Sequence, residues 1–262
     1  MAHGRFVWHD LGSGDVPRDL NFYAKLFGWE FSENMGNAGS YHRFSTGDGL
    51  GGGLFEQNGP VPAWLAYIHV DDLEDCLITV MARGGTVLMD PYKIPTTGTM
   101  ALIAGPGGAM ITLIELEKPP ELPTRSPEAG EFCWYSISAL DPAREAAFWS
   151  AVCGWNVEEV DLGGGSMSTT FFRDGVPVAG LNAADQDEEE GFWSVAITAP
   201  GNCVEATLKA KALGATELMP PTPMGDMGMM SVVRDPGGAA FTLWEQKDSP
   251  ELKMELATEP EA

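Results

Sequence analysis

The chain has 262 residues, 44% of them apolar, and is long enough for two domains with real hydrophobic cores. Its 38 acidic and 15 basic side chains give a formal net charge of −23 at pH 7, which argues against binding to nucleic acid or to anionic membranes. We find no apolar run that predicts a membrane span and no secretion signal. Four widely spaced cysteines predict free thiols in a reducing cytoplasm.

The first quarter of the chain predicts one strand, one helix and further short strands. Phe6–Leu11 has the large side chains of a strand, and a helix is predicted over Asp15–Phe27, where Asp15 can cap the first turn and a glycine follows the last. Within this helix, Leu20, Tyr23 and Phe27 are predicted to share one face. Strands are predicted near Tyr41–Ser45 and Gly52–Phe55.

The second quarter repeats this plan. Trp64–Val70 predicts a strand, and Asp72–Arg83 predicts a helix with an acidic start and a Gly-Gly stop. Strands are predicted near Thr86–Met89, Met100–Ala104 and Ala109–Glu115, the last two joined by a GPGG turn. Each quarter is therefore interpreted as a strand, a helix and three strands.

The two halves of the chain repeat each other. GGTVLMDP at Gly84–Pro91 returns as GATELMPP at Gly214–Pro221, and GPGGAMITLIE at Gly105–Glu115 returns as DPGGAAFTLWE at Asp235–Glu245. The intervening segment EKPPELPTRSPEAGE holds four prolines and should run extended. We predict domains at 1–117 and 131–247, a linker at 118–130 and an acidic tail at 248–262.

These motifs together resemble one protein family. The tandem quarters, the FYAKLFGW helix end, the VDDL helix start and the GPGG and DPGG hairpins are similar to the vicinal oxygen chelate superfamily, which contains glyoxalase I, bleomycin-resistance proteins and extradiol dioxygenases. The Trp8-His9-Asp10 sequence is similar to that of two-domain glyoxalase-like proteins of actinobacterial type. The resemblance implies an α+β fold of four βαβββ modules in two pseudo-repeated halves, each a curved mixed sheet with helices outside.

The resemblance also implies where a metal would be held, because the metal enzymes of this superfamily use His, Gln and Glu on the concave face. Carried over one at a time, those positions fall on or near Trp8, Gly53, Leu65 and Thr112, and in the second half on or near Trp134, Gly180, Ser194 and Thr242. Divalent metals need several His, Cys, Asp or Glu ligands. We therefore predict no metal and no other cofactor.

Strand alternation predicts which side chains face the ligand. In the first half these are Trp8, Asp10, Leu65, Tyr67 and Thr112, with His69 at the edge. Asp10, Tyr67 and His69 are the catalytic candidates, although a hydrogen-bonded structural role for His69 stays open. His9 is predicted to face away from the ligand, on the opposite side of its strand.

The ligand-binding candidates of the first half are Trp8, Leu65 and Thr112. Those of the second half are Trp134, Ser136 and Thr242. Because the second half has serine and alanine where the first has Asp10 and Tyr67, the better site is predicted in the first half.

Three functions stay open at this point. The first is a metal-free glyoxalase-like protein that binds or transforms a small organic molecule, as a lyase, isomerase or hydroxylase would. The second is a ligand-sequestering protein of bleomycin-resistance type. The third is a metal-dependent lyase, isomerase or dioxygenase that uses His9. The expected partner is a small molecule, and the chain is expected to be a monomer or homodimer.

Overall fold

The computed structural model describes residues 2–36, 39–46, 50–57, 63–161, 167–185 and 187–247. The predicted acidic tail, 248–262, lies outside the described residues. The elements of the first half are β1 (Arg5–Ser13), α1 (Val16–Phe27), β2 (Glu30–Gly36), β3 (Gly39–Ser45), β4 (Gly52–Glu56), β5 (Trp64–His69), α2 (Leu73–Ala82), β6 (Thr86–Ile94), β7 (Gly98–Ala104) and β8 (Met110–Leu116).

The second half repeats this order of elements. They are β9 (Phe132–Ala139), α3 (Pro142–Cys153), β10 (Asn156–Asp161), β11 (Met167–Arg173), β12 (Val176–Ala183), β13 (Phe192–Thr198), α4 (Cys203–Ala212), β14 (Thr216–Pro223), β15 (Gly228–Arg234) and β16 (Ala240–Gln246). Each quarter is thus a βαβββ module, as predicted.

Each half builds one eight-stranded mixed sheet. The first has the order β2-β3-β4-β1-β5-β8-β7-β6, and the second has the equivalent order β10-β11-β12-β9-β13-β16-β15-β14. Strand β1 lies parallel to β4 and antiparallel to β5, so the two modules of a half join edge to edge through their first strands. This confirms the predicted α+β fold of four modules in two pseudo-repeated halves.

Helix α1 shows how local sequence positions these elements. The Asp15 side chain caps its first turn, and Gly28 ends it with a left-handed φ of 78°. The residues that α1 buries are Asp19, Phe22, Tyr23 and Leu26. The buried face is rotated by about one residue from the predicted face of Leu20, Tyr23 and Phe27. The rotation arises because the helix packs against α4 of the opposite half as well as against its own sheet.

The two halves meet through the faces of the sheets that carry the helices. Helix α1 contacts α4, α2 contacts α3, and one hydrophobic core runs through both halves. The helices cover one face of each sheet, as predicted, and in the whole molecule this face lies between the two halves. The helix-free face of the first sheet, which carries Trp8 and Asp10, is called the N-terminal outer face. Its counterpart, which carries Trp134 and Ser136, is called the C-terminal outer face.

Equivalent strands β1 and β9 lie against each other in this shared core. Phe6 stacks on Tyr135 and His9 stacks on Phe132, with ring centroids 3.5 Å apart in both pairs. Because Phe6 is equivalent to Phe132 and His9 to Tyr135 in the repeat, the two contacts are related by an approximate twofold axis.

The glycine turns found in the sequence dock on helices of the opposite half. The Gly107 N–H donates to Glu145 Oε1 over 2.6 Å. A Cβ atom added to Gly237 would lie 2.7 Å from Asp19 Oδ2. Asp19 and Glu145 are equivalent residues of α1 and α3, so the GPGG and DPGG motifs serve the interface between the halves as well as their own hairpins.

The segment between the sheets, residues 117–131, contains no strand or helix, as the proline content predicts. Its Leu122 packs against an apolar cluster on the N-terminal outer face formed by Val7, Tyr67 and Ile114. The predicted domain limits stay a proposal. Among the described residues, no helix is both long and apolar enough to cross a membrane.

Candidate functional site on the N-terminal outer face

Strand β1 is central in its sheet and sends alternate side chains to opposite faces. A bulge between Phe6 and Trp8 sets the register, so Trp8 lies beside Tyr67 and Asp10 beside Leu65 on β5. Thr112 on β8 lies beside Tyr67. The structure thus brings Trp8, Asp10, Leu65, Tyr67 and Thr112 together on one face, in the arrangement that strand alternation predicts.

Asp10 is held by three side-chain donors. The Tyr41 hydroxyl donates to Oδ1 and the Tyr67 hydroxyl donates to Oδ2, both over 2.6 Å. The Trp8 indole N–H lies 2.9 Å from both Asp10 Oδ1 and the Tyr41 hydroxyl oxygen. We call Trp8, Asp10, Tyr41 and Tyr67 the Asp10 cluster.

Burial dominates the electrostatics of this cluster. Asp10 is only 6% exposed, and burial raises its pKa, while hydrogen bonds from Tyr41, Tyr67, Trp8 and the Gly53 backbone act in the opposite direction. Burial, together with the negative charge of Asp10, also raises the pKa of Tyr41 and Tyr67. Both tyrosines therefore stay protonated and act as hydrogen-bond donors.

Tyr41 is a member of the cluster that the sequence did not identify. It stands on β3, beyond the neighbouring strand β4, and its ring crosses over Gly53 to reach Asp10. A Cβ atom on Gly53 would overlap the Tyr41 ring carbon Cζ and its hydroxyl. The signal in the sequence was the run Gly51–Gly53, which marks a close approach of a neighbouring side chain.

Arg43 gives this face its exposed cation, and the sequence did not identify it either. Its guanidinium carbon lies 5.1 Å from the centre of the Trp8 ring, in cation–π geometry. Trp8 and Tyr41 are half-buried, whereas Arg43 is exposed. A ligand that reaches the cluster would meet these three side chains first.

His69 lies away from the cluster, at the end of β5. Its Nδ1 is 3.1 Å from the Ile114 carbonyl oxygen, and its Nε2 is 3.5 Å from Asp71 Oδ1. None of its described contacts reaches Asp10. Its predicted catalytic role stays a prediction, and these contacts give it an ordinary structural role at the strand end.

His9 faces the shared core, on the opposite side of β1 from Trp8 and Asp10, as strand alternation predicts. Its Nε2 lies 2.6 Å from the Tyr135 hydroxyl and its Nδ1 lies 3.1 Å from the Gly51 carbonyl oxygen, deep in the shared core. Burial lowers the pKa of His9 to about 3. The ring is therefore neutral, and it serves the interface between the halves.

The C-terminal outer face has the same framework with smaller side chains. Strand register pairs Trp134 with Ala196, Ser136 with Ser194, and Ala196 with Thr242. Ser136 and Ala196 therefore stand where the first half has Asp10 and Tyr67. The predicted binding residues Trp134, Ser136 and Thr242 share one face, but they form no equivalent of the Asp10 cluster.

The residues at the superfamily's metal positions do not fit a divalent ion. The first half has tryptophan, glycine, leucine and threonine at these positions, and the second half has tryptophan, glycine, serine and threonine. None of these is a ligand that divalent ions prefer. Within the described part of the chain, no three His, Cys, Asp or Glu side chains are grouped for a metal. Asp10 already accepts hydrogen bonds from its neighbours.

Comparison with known proteins decides the family. Residues 5–113 match the family described as "Glyoxalase/Bleomycin resistance protein/Dioxygenase superfamily". Residues 134–244 match the family described as "Glyoxalase-like domain". The chain belongs to the glyoxalase, bleomycin-resistance and dioxygenase superfamily. This is the vicinal oxygen chelate superfamily that the sequence motifs resemble.

Two relatives in sequence span nearly the whole chain. "Putative glyoxylase CFP32" of Mycobacterium bovis is 26% identical over 243 residues, which is 90% of this chain and 92% of that protein. "Anthracycline biosynthesis protein DnrV" of Streptomyces peucetius is 27% identical over a gapped alignment of 275 positions, which covers 95% of both chains. Both alignments therefore extend across the two halves of this chain.

Solved structures share the fold at lower identity. The 2,3-dioxygenase LapB from Pseudomonas sp. KL28 has a TM-score of 0.66 at 14% identity and covers 96% of both chains. The Mn(II)-bound glyoxalase from Novosphingobium aromaticivorans has a TM-score of 0.63 at 14% identity, covering 94% of this chain and 84% of that one. At such identity the likeness shows the fold alone.

Proposed function

We propose that the protein binds a small organic molecule on the N-terminal outer face and moves a proton to or from it through the Asp10 cluster. The observation that supports this is a carboxylate with a raised pKa, buried at the centre of a helix-free sheet face. A general base works best when its pKa approaches the operating pH, and burial brings Asp10 closer to that condition.

Tyr41 is the group of the cluster that would touch the ligand. Asp10 lies behind Tyr41 and Tyr67, so a proton from the ligand reaches it in two linked movements. The ligand gives its proton to the Tyr41 hydroxyl oxygen while the Tyr41 proton passes to Asp10 Oδ1, 2.6 Å away. No free tyrosinate forms, which agrees with the raised pKa of Tyr41. Tyr67 and Trp8 hold the carboxylate in place.

The surrounding side chains favour a flat ligand with a polar or acidic edge. The half-buried Trp8 and Leu65 offer apolar surface, and Arg43 above the Trp8 ring supplies a positive charge. The relatives named for glyoxylase and for anthracycline biosynthesis are both named for the chemistry of small organic molecules. A proton-transfer step in an isomerase, lyase or hydroxylase fits this site.

The test uses 1,4-dihydroxyanthraquinone, a planar phenol whose visible spectrum changes when a hydroxyl group loses its proton. The native protein should bind it and shift its spectrum towards the anion. Asp10→Asn should keep binding within a few-fold but abolish the shift, because asparagine cannot accept the proton. Ser136→Ala, the matched change on the C-terminal outer face, should leave both unchanged. An equal shift with Asp10→Asn would refute the proposal.

A second candidate is ligand sequestration on the C-terminal outer face. Its support is the small size of Ser136 and Ala196, which leaves more room beside Trp134 than the first half leaves beside Trp8. In that case Ser136→Phe should abolish binding of the dihydroxyanthraquinone, while Asp10→Asn should change neither affinity nor spectrum.

We also propose that the protein works in the cytoplasm as a monomer or homodimer. All four cysteines are free thiols, and three of them are buried, which supports a reducing compartment. Analytical ultracentrifugation checks the oligomeric state. A stable tetramer would contradict the proposal.

A further inference from the structure

A cavity lies where the linker crosses the beginnings of β1 and β9. Its volume is about 200 Å³. Phe6 and Phe132, which are equivalent in the repeat, both line it, so it sits close to the approximate twofold axis between the halves. Leu50 stands on one side, and Pro177 and Val178 stand on the other.

The linker supplies the remaining wall of this cavity. Leu122, Pro123, Arg125 and Pro127 all line it. Arg125 is fixed there by the buried Glu131, whose two carboxylate oxygens accept from its guanidinium over 2.7 and 2.8 Å. The cavity is therefore built by both halves and the linker together, and we call it the linker cavity.

The charged residues that line the linker cavity are Arg5, Arg125 and Glu131, so cations outnumber anions by one in the wall of a strongly acidic protein. Arg125 forms ion pairs with Glu131 over 2.7 Å and with Glu128 over 3.6 Å, whereas the nearest acidic influence on Arg5 is the exposed Asp174. The Arg5 guanidinium donates to the Arg173 carbonyl oxygen over 2.7 Å. Partial burial lowers the pKa of Arg5, while the negative charge of Asp174 raises it and the positive charge of Arg173 lowers it. A cation near low-dielectric walls attracts anions.

The size and lining of the cavity narrow the class of anion. A dry apolar cavity of roughly 150 Å³ holds benzene, so about 200 Å³ leaves room for one aromatic ring and a small charged group. Aromatic side chains from both halves contribute to the walls, namely Phe6, Phe132, Trp134 and Tyr135. A guanidinium pairs well with a carboxylate because its donors match the two oxygens.

We propose that the linker cavity binds a small aromatic monocarboxylate. The carboxylate would bind Arg5, and the ring would lie between the linker and the equivalent residues Phe6 and Phe132. This site is separate from the Asp10 cluster, since none of the cluster's residues lines it. A bound carboxylate would contact the linker and both halves at once and so stabilise the contacts between them.

Benzoate is the probe, and isothermal titration measures its affinity. Benzoate should bind at one site per chain, and benzamide, its neutral isostere, about tenfold or more weakly because it lacks the charge-assisted hydrogen bonds to Arg5. Arg5→Gln should lose a similar factor, and Arg5→Lys should fall between Arg5→Gln and the native protein, because an ammonium group keeps the charge but not the two matched donors. No binding of benzoate, or equal affinity for benzamide, would overturn the proposal.

A second pair of variants tests the cavity without changing Arg5. Pro177→Trp places a large ring at the exposed cavity wall and should abolish benzoate binding. Val176→Trp, at the neighbouring exposed position that does not line the cavity, should bind benzoate as the native protein does. Equal affinity in both variants would also overturn the proposal. Asp10→Asn should leave benzoate binding unchanged, so this result is independent of the function proposed for the Asp10 cluster.

Discussion

Equivalent residues of the two halves differ in their hydrogen-bond partners, as Trp64 and Trp193 show. The Trp64 indole N–H donates to the Tyr23 hydroxyl over 3.0 Å. At the matching position of the second half, the buried Trp193 N–H has no acceptor among the described residues. Trp149 stands where the first half has Tyr23, and an indole offers no such acceptor.

Replacing each of these tryptophans by phenylalanine should give unequal losses of stability. Trp64→Phe removes a hydrogen bond, whereas Trp193→Phe removes an N–H group that is already desolvated without a partner. We expect Trp64→Phe to lower the free energy of unfolding by about 1 kcal/mol more than Trp193→Phe. Denaturant unfolding of both variants measures the difference, and a larger loss with Trp193→Phe would contradict this account.

His9 should make the stability of the protein depend on pH. Its pKa is about 3 in the folded chain, below the ordinary value of 6.5, so the unfolded chain takes up the proton first as the pH falls. The stability that neutral His9 contributes is complete above pH 6.5 and is lost from there towards pH 3, by at most about 1.4 kcal/mol per pH unit.

The variant His9→Gln should therefore lose less stability than the native protein between pH 6.5 and pH 4. Comparing the two proteins at each pH removes the contribution of the buried carboxyl groups, which both contain. Parallel profiles for the native protein and His9→Gln would show that the interface tolerates the charge.

At the scale of elements, strands β4 and β12 have equivalent glycines, Gly53 and Gly180, with different side chains packed against them. Gly53→Ala places a Cβ atom inside the Tyr41 ring, so Tyr41 must leave Asp10 or β4 must move. At Gly180 the nearest atom to an added Cβ is Trp134 Nε1, at 3.3 Å. The same substitution is therefore expected to have different effects in the two halves.

We expect Gly53→Ala to cost about 1–3 kcal/mol of stability, as overpacking does, and to abolish the spectral shift of bound dihydroxyanthraquinone. Gly180→Ala should cost less than about 1 kcal/mol and leave the shift intact. Chemical denaturation and visible spectroscopy measure both effects. If Gly53→Ala retained the full shift, Tyr41 would not be part of the proton path.

Strand alternation explains how much of the site the sequence could predict. Alternation along one strand paired Trp8 with Asp10 and Leu65 with Tyr67, since period-two geometry needs no neighbouring strand, and the superfamily resemblance placed both pairs on the same face. Tyr41 and Arg43 were missed because they reach Trp8 and Asp10 only through the pairing of β3 with β4, and strand β2, which fixes that hairpin, was not located. Register between strands depends on tertiary packing.

For the whole molecule, the single core predicts a single unfolding transition. The Tyr23 hydroxyl of α1 donates to Asp235 Oδ2 in the other half over 2.7 Å. Calorimetry of the native protein should show one peak, with equal calorimetric and van't Hoff enthalpies. Two separated peaks would mean that the halves are energetically independent.

Tyr23→Phe should lower the temperature of that single peak without splitting it, because Asp235 Oδ2 then loses the Tyr23 donor and the Trp64 N–H loses its acceptor. Tyr92→Phe, at a tyrosine that is 53% exposed, should leave the peak where it is. A Tyr23→Phe protein with an unchanged melting temperature would mean that this hydrogen bond adds nothing to the contact between the halves.

The sequence also could not predict how the halves are arranged. The repeats predicted two similar units, but the residues that join them, such as Phe6, His9 and Glu145, are ordinary core or helix residues in their own half. Their second role appears only when both sheets are present. The linker cavity was missed for the same reason, since its walls come from four separate segments of the chain.

The approximate twofold contacts of Phe6 with Tyr135 and of His9 with Phe132 bear on how this protein can evolve. Two separate copies of one half, related by the same axis, would carry every mutation twice. A fused chain carries each mutation once. Asp10 could therefore be kept on one outer face while the other acquired Ser136, so that one gene encodes two dissimilar binding surfaces on one shared scaffold.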